Sequence, residues 1–333
     1  MNKRILGADL LLLLTAAVWG FGFVAQRSGM EYIGPFSFNG IRFILGSLSL
    51  LPLIFWRMRR KTSRETSKKV IFYSSFLAGS CLFIAVTLQQ FGIMVTTAGN
   101  AGFITGLYVI FTPIFGIFLG KSTGKATWLG AILTLAGLYF LSFQVKNPSG
   151  PIVNPGDLFI AVSAVLWAFH VLIIDRLVQK TDPIILSAGQ FFIAGVYALI
   201  AAFSLEPIIS AWLETNSQTL ISSGLFSWKS LPALIGGLST GLIPLSLVAS
   251  AVIPILYAGI CSAGIGYTLQ VVAQQYAPPA HATIILCLEG CFAALGGIIL
   301  LNEPLGLRTV IGFSFILAGM LISQWEQITS RKA

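Results

Sequence analysis

Residues 8–26 read ADLLLLLTAAVWGFGFVAQ, and residues 156–175 read GDLFIAVSAVLWAFHVLIID. Each is close to the roughly 20 apolar residues that a helix needs to cross a bilayer. A shift of the chain by 148 residues superimposes them, so that Asp9, Leu10 and Trp19 fall on Asp157, Leu158 and Trp167. Beyond them, Pro35 and Phe43 fall on Pro183 and Phe191. Further along, Ala78-Gly79-Ser80-Cys81 and Gln90 match Ala258-Gly259-Ile260-Cys261 and Gln270. Near the ends of the two halves, Gly130 and Leu135-Ala136-Gly137 match Gly312 and Leu317-Ala318-Gly319. Each match is weak alone, but their common order marks a duplicated unit.

Working outward from this pair, further apolar runs lie near 33–56, 70–91, 97–119, 126–143, 184–205, 251–274, 281–301 and 307–325. The expected fold is an all-α membrane protein of ten transmembrane helices, arranged as two inverted five-helix repeats over residues 1–147 and 148–333. Five spans is an odd number, so the second repeat enters the bilayer from the opposite side. Composition leaves little room for a soluble alternative. The chain is 56% hydrophobic and only 9% charged, with a mean hydropathy of +0.88, against about 25% charged in soluble domains. The first run follows Lys3 and Arg4 as a signal peptide would. It shows no convincing small-x-small cleavage site, so an uncleaved first helix is expected.

The net charge of +9 is a topology signal rather than a nucleic-acid footprint. With an inside N-terminus, fifteen Lys and Arg residues fall in cytoplasmic segments, including the run from Arg57 to Lys69. Four fall outside (Arg27, Lys146, Lys229 and Arg308), and Arg42 lies within a span. This is the positive-inside pattern, and the partner it implies is the lipid bilayer, with no nucleic acid. Cys81, Cys261, Cys287 and Cys291 sit in predicted spans without a CxxC pair, so no metal and no cofactor is expected. The halves differ at residues 206–250, which the repeat alignment makes an interfacial or re-entrant insert on the outer face.

Several motifs have a familiar order. Trp19-Gly20-Phe21-Gly22-Phe23, then Thr97-Ala98-Gly99-Asn100-Ala101-Gly102-Phe103 with Gly106-Leu107-Tyr108-Val109, and Gly259 to Gln275 with Ala280 to Glu289, resemble the EamA family of the drug/metabolite transporter superfamily. The likeness covers nearly the whole chain. It implies ten spans in a bacterial inner (plasma) membrane, both termini in the cytoplasm, and transport, often export, of a small-molecule substrate. Two features depart from the family pattern: Leu288-Glu289-Gly290, where many relatives have Glu-Pro, and the long 206–250 insert.

Ionisable groups at membrane depth are costly and mark pathways or partners. Arg42 in the second span and Glu289 in the ninth lie at depths that differ by about 5 Å at 1.5 Å per residue, so they can pair or share one pocket. In the functional reading Arg42 attracts an anionic group such as a carboxylate, and Glu289 takes a cationic group or a coupling proton. A carboxylate held by a cation stays ionised, so proton coupling requires the two to separate during the cycle. The bland alternatives are a permanent ion pair locking two helices, or Arg42 snorkelling to headgroups. Gln190, the repeat counterpart of Arg42, joins Asn100, Gln90, Gln270 and His170 as candidate polar ligands that could equally bridge helices. Trp19 and Trp167, with Tyr108 and Tyr267, are candidate stacking surfaces. Thr112 corresponds roughly to Glu289. Asp9 and Asp157 read as helix N-terminal caps. Gly99, Gly102 and Gly106, with Gly259, Gly264 and Gly266, suggest close crossings, and Pro113 a kink in the fourth span.

The expected function is a secondary transporter, in the exporting direction, of a small metabolite such as an amino acid or related compound, working by alternating access. No Walker A motif is present. An intramembrane enzyme would need clustered Asp, His or Cys at the water boundary. A channel would need rings of equivalent groups, and a structural membrane protein would need no such symmetry. The fifth and tenth spans are apolar enough to face lipid or a second copy in a homo-oligomer.

Overall fold

Prolines open the helices that the repeat pairs. The helices α2 (Pro35–Arg59) and α8 (Pro183–Thr215) both start on proline at N1, where a fixed φ suits the first turn and no N–H is lost. The computed structural model describes residues 3–30, 32–60, 66–95, 98–142, 155–216, 249–301 and 306–329. Those residues form, besides α2 and α8, the helices α1 (Lys3–Gly29), α3 (Lys68–Val95), α4 (Ala98–Gly106), α5 (Tyr108–Phe118), α6 (Lys125–Ser142), α7 (Pro155–Leu177), α9 (Val252–Ala273), α10 (Pro279–Leu286), α11 (Leu288–Leu301) and α12 (Leu307–Thr329). Six of them (α1, α2, α3, α7, α8 and α9) are long and apolar enough to cross a membrane. The shorter apolar stretches 104–118, 125–140, 279–293 and 310–326 supply the rest. The collinear pairs α4–α5 and α10–α11 each form one span, which gives ten.

Helix packing follows the duplication. α1 packs on α9 and α11, and its counterpart α7 packs on α3 and on α4–α5. The pairs α2–α8 and α6–α12 map onto themselves. At the α6–α12 crossing, a Cβ on Gly130 would lie 2.6 Å from the Gly319 carbonyl, and one on Gly137 would lie 2.6 Å from the Gly312 carbonyl. The repeat exchanges these two contacts, as a two-fold relation between antiparallel helices requires. The absence of side chains lets the backbones touch. The outer faces of both helices, with Leu129, Ile132, Leu317 and Leu321, remain exposed to the surrounding apolar solvent.

Three expectations need correction. First, the seventh span does not end at 205. α8 runs to Thr215 as one 33-residue helix, about 50 Å long at 1.5 Å per residue, so the start of the 206–250 insert is a helical extension. Residues 217–248 of that insert lie outside the described residues. Second, the fourth span is interrupted at Leu107, a break the sequence does not announce, while Pro113 lies within α5. Ile110 N donates to Leu107 O across three residues at 3.0 Å. The ninth span has the same defect at Cys287, where Gly290 N donates to Cys287 O at 3.2 Å. The break therefore forms without a Glu-Pro, and its position makes Val109, rather than Thr112, the counterpart of Glu289. Third, Asp9 is no cap: α1 begins at Lys3, and Asp9 is bonded to α10 and α12. Asp157 does sit in the first turn of α7.

Candidate substrate cavity

α9 is unusual in its middle. Residues Tyr257–Tyr267 form a π-helix, a wide coil that tends to occur at functional positions. Side chains of α1 bond to its backbone: Thr15 Oγ1 donates to Gly266 O at 3.1 Å, and Trp19 Nε1 donates to Ser262 O at 3.4 Å. In return, the Tyr257 hydroxyl donates to Val18 O at 2.8 Å. These bonds hold the Trp19 ring against Tyr267, with centroids 4.4 Å apart. Trp167 lies 5.9 Å from Tyr267 on another side. Gly20, one residue after Trp19, lets α11 pass closely; a Cβ there would be 2.7 Å from Glu289 O. The first turn of α11 thereby puts Glu289 beside the aromatic group, at a helix N-terminus whose dipole favours an anion.

Around this group lies a cavity lined by residues of both halves of the chain. Its lining includes Trp19, Arg42, Tyr108, Trp167, Gln270 and Glu289, all expected from sequence. Arg42 and Glu289 share it without an ion pair: the Arg42 guanidinium lies over the rings of Phe43 and Phe38, at 4.8 and 5.5 Å. Both side chains are buried. Gln26, Gln89, Thr105, Ser262 and Tyr267 complete the polar lining. Of these, Tyr267 is a stacking candidate from the sequence, and the rest carry no signal beyond being polar within a span. Gln89 Nε2 donates to Thr105 Oγ1 at 3.1 Å. The buried Gln26 Oε1, Arg42 Nε, Tyr108 Oη, Trp167 Nε1 and Gln270 Oε1 have no hydrogen-bond partner among the described residues. Buried polar atoms are rarely left so, and these five belong to residues that line one cavity.

Other candidates fall elsewhere. His170 Nε2 and Gln190 Oε1 are 2.9 Å apart and fully buried, so these two residues bridge α7 and α8 instead of lining the cavity. Their repeat counterparts are Gly22 and Arg42. The second half fills with an imidazole and an amide the space that the first half leaves open. Asn100 lies on α4, but its side chain is outside the described residues. Gln90 is buried off the lining. Gly106, Gly259, Gly264 and Gly266 do mark close contacts, whereas Gly102 meets nothing.

The lining spans the middle of the bundle. Trp19, Phe23 and Gln26 lie in the second half of α1, which starts at the terminal face, and Arg42 lies in the first half of α2, which ends there, while Val171 and Gln270 lie in the second halves of α7 and α9. Gln274 Nε2 donates to the carbonyl of the lining residue Val171 at 3.0 Å. The pairs Arg57–Asp182, at 2.9 Å, and Lys121–Asp175 tie helix ends across the terminal face.

A family model described as the EamA-like transporter family matches residues 6–143 and again 154–324. The chain belongs to the EamA-like transporter family. It is therefore a multi-pass membrane transporter and not an enzyme, and the two EamA units agree with the internal repeat. Similar proteins include an uncharacterized transporter of Archaeoglobus fulgidus, 27% identical over 95% of this chain and 85% of its own length. Another is the uncharacterized transporter YvbV of Bacillus subtilis, 28% identical over 73% of this chain and 82% of its own. The uncharacterized inner membrane transporter YedA of Escherichia coli K12 is 26% identical over 62% and 67%. A crystal structure at 16% identity superposes with a TM-score of 0.69 over 96% of both chains, which shows a shared fold.

Proposed function

We propose that this EamA transporter is a secondary carrier that exports a small zwitterionic metabolite, such as an amino acid or related compound, by alternating access. In this reading both termini are cytoplasmic, the membrane is a bacterial inner (plasma) membrane, and the cavity is open to the outside. The observation that carries the reading is the single cavity shared by an unpaired Arg42 and Glu289. The guanidinium receives a carboxylate with bidentate geometry, and Glu289 receives an ammonium or, in the empty carrier, a coupling proton. Trp19, Tyr267 and Trp167 cover the apolar body of the solute, and the unpartnered polar atoms discriminate by hydrogen bonds. Substrate bridging Arg42 and Glu289 compensates both buried charges at once, so the loaded site is the cheaper one to enclose.

Purified protein in proteoliposomes, tested with a panel of labelled amino acids, examines this directly. Saturable uptake accelerated by the same solute on the trans side is the expected result. Flux without trans-stimulation would make the protein a channel, and no flux for any zwitterion would end the substrate assignment.

A further inference from the structure

Every residue of α10 is buried. This half-helix is packed on α1, α5, α6, α7 and α12; its last residue, Leu286, lines the cavity, and Glu289 follows three residues on. Its side chains are small or apolar except for Thr283, which bonds to its own helix, and His281. His281 Nε2 lies 3.0 Å from Asp9 Oδ1 on α1, and Nδ1 lies 2.7 Å from Ser323 Oγ on α12. An ionised carboxylate can only accept, so the imidazole donates to Asp9. Gln324 Nε2 donates to the other oxygen of Asp9 at 3.1 Å. From Ser323 the network continues through Thr127 Oγ1 on α6, at 3.4 Å, and Thr127 donates to Glu326 at 2.6 Å. At its other end α10 stops at the Cys287 turn, where the helical bonding is interrupted. α10 is thus a plug with a latch at one end and a hinge at the other.

We propose that α10 is the cytoplasmic gate and that the His281–Asp9–Ser323 bonds are its latch, a role that rests on the alternating-access reading above. Inward opening breaks these bonds and swings α10 about Cys287. Glu289 begins the helix beyond that hinge, so occupancy of the cavity acts on the gate through a single turn. The network is buried and joins both halves of the chain, as a bond that must break and re-form in each cycle would.

The native Cys287 thiol, buried at the hinge, reports opening without any substrate. With Cys81, Cys261 and Cys291 replaced by alanine, a membrane-impermeant maleimide is applied to inside-out and to right-side-out vesicles. His281→Ala and Asp9→Ala are expected to raise labelling of Cys287 from the cytoplasmic side by about tenfold, because losing a charge-assisted bond shifts the open population. Labelling from the outer side stays at the parent level. His281→Gln, which keeps a donor toward Asp9, restores protection. Unchanged cytoplasmic labelling in both alanine variants, or an equal rise from both faces, would overturn the latch. Neither readout depends on finding the solute, so a failed transport assay and a failed gate remain separate results.

Discussion

The carbonyl of Glu289 lies against the α-carbon of Gly20, so close that a side chain at position 20 would also meet Ala293 N at 2.8 Å. This approach is backbone against backbone and cannot be relieved by a rotamer change. Gly20→Ala should therefore push α11 off α1 at a cost of about 1–3 kcal/mol, carrying Glu289 with it. Counterflow measured beside thermal unfolding is expected to show transport falling by about tenfold or more, since about 1.4 kcal/mol at the site suffices for that. Wild-type counterflow in a protein with a lowered melting temperature would show that the crossing supports stability alone.

Arg42 and Glu289 are not a lock. Breaking a buried ion pair by removing one partner costs about 3–5 kcal/mol, whereas two charges that face one cavity can be removed singly without that penalty. Arg42→Ala and Glu289→Gln should each abolish counterflow while thermal stability changes by less than about 1 kcal/mol. A large loss in each single variant, recovered in the double variant, would reinstate the ion pair.

His170 and Gln190 should behave in the opposite way. Removing either leaves a buried polar partner unsatisfied, which costs about 1–3 kcal/mol. His170→Ala is expected to lower the melting temperature and leave the substrate KM unchanged. A KM shift without a stability change would return the pair to the binding site.

The two proline-initiated helices are each anchored to the other. Glu206 of α8 accepts from Phe36 N at 2.8 Å, Ser37 N at 2.9 Å and Ser37 Oγ at 2.6 Å, at the start of α2. Asp182 caps α8 by accepting from Ile184 N at 3.0 Å, while Arg57, near the end of α2, reaches it. Loss of a cap costs about 0.5–2 kcal/mol, and loss of a partly exposed ion pair about 1 kcal/mol or less. Asp182→Ala should thus destabilise more than Asp182→Asn, which keeps the cap. Equal melting temperatures for the two variants would assign the effect to the ion pair.

Hydropathy made the ten spans legible, because a run such as Leu10–Leu14 has no other solvent. The duplication was legible too, as was the isolation of Arg42 and Glu289 among apolar neighbours. The rest depended on direction. A glutamine within a span reads the same whether it faces a cavity, as Gln26 does, or another helix, as Gln190 does. Asp9 read as a cap because the charged Lys3 and Arg4 concealed the true start of α1. The turns at Leu107 and Cys287 have no proline to announce them, and Glu206 meets Phe36 across 170 residues, beyond the reach of any local pattern.

The self-mapped glycine crossing of α6 and α12 has a mechanical meaning. When the two halves of a carrier trade conformations, a contact on the relation that interchanges them is the same before and after. In the proposed alternating-access carrier, Gly130 against Gly319 and Gly137 against Gly312 would thus be a fulcrum, bearing load through the stroke without being dismantled. In the proposed carrier the work of each turnover falls instead on the arms, where α1 leans on α9 and α11, and α7 on α3 and α4–α5.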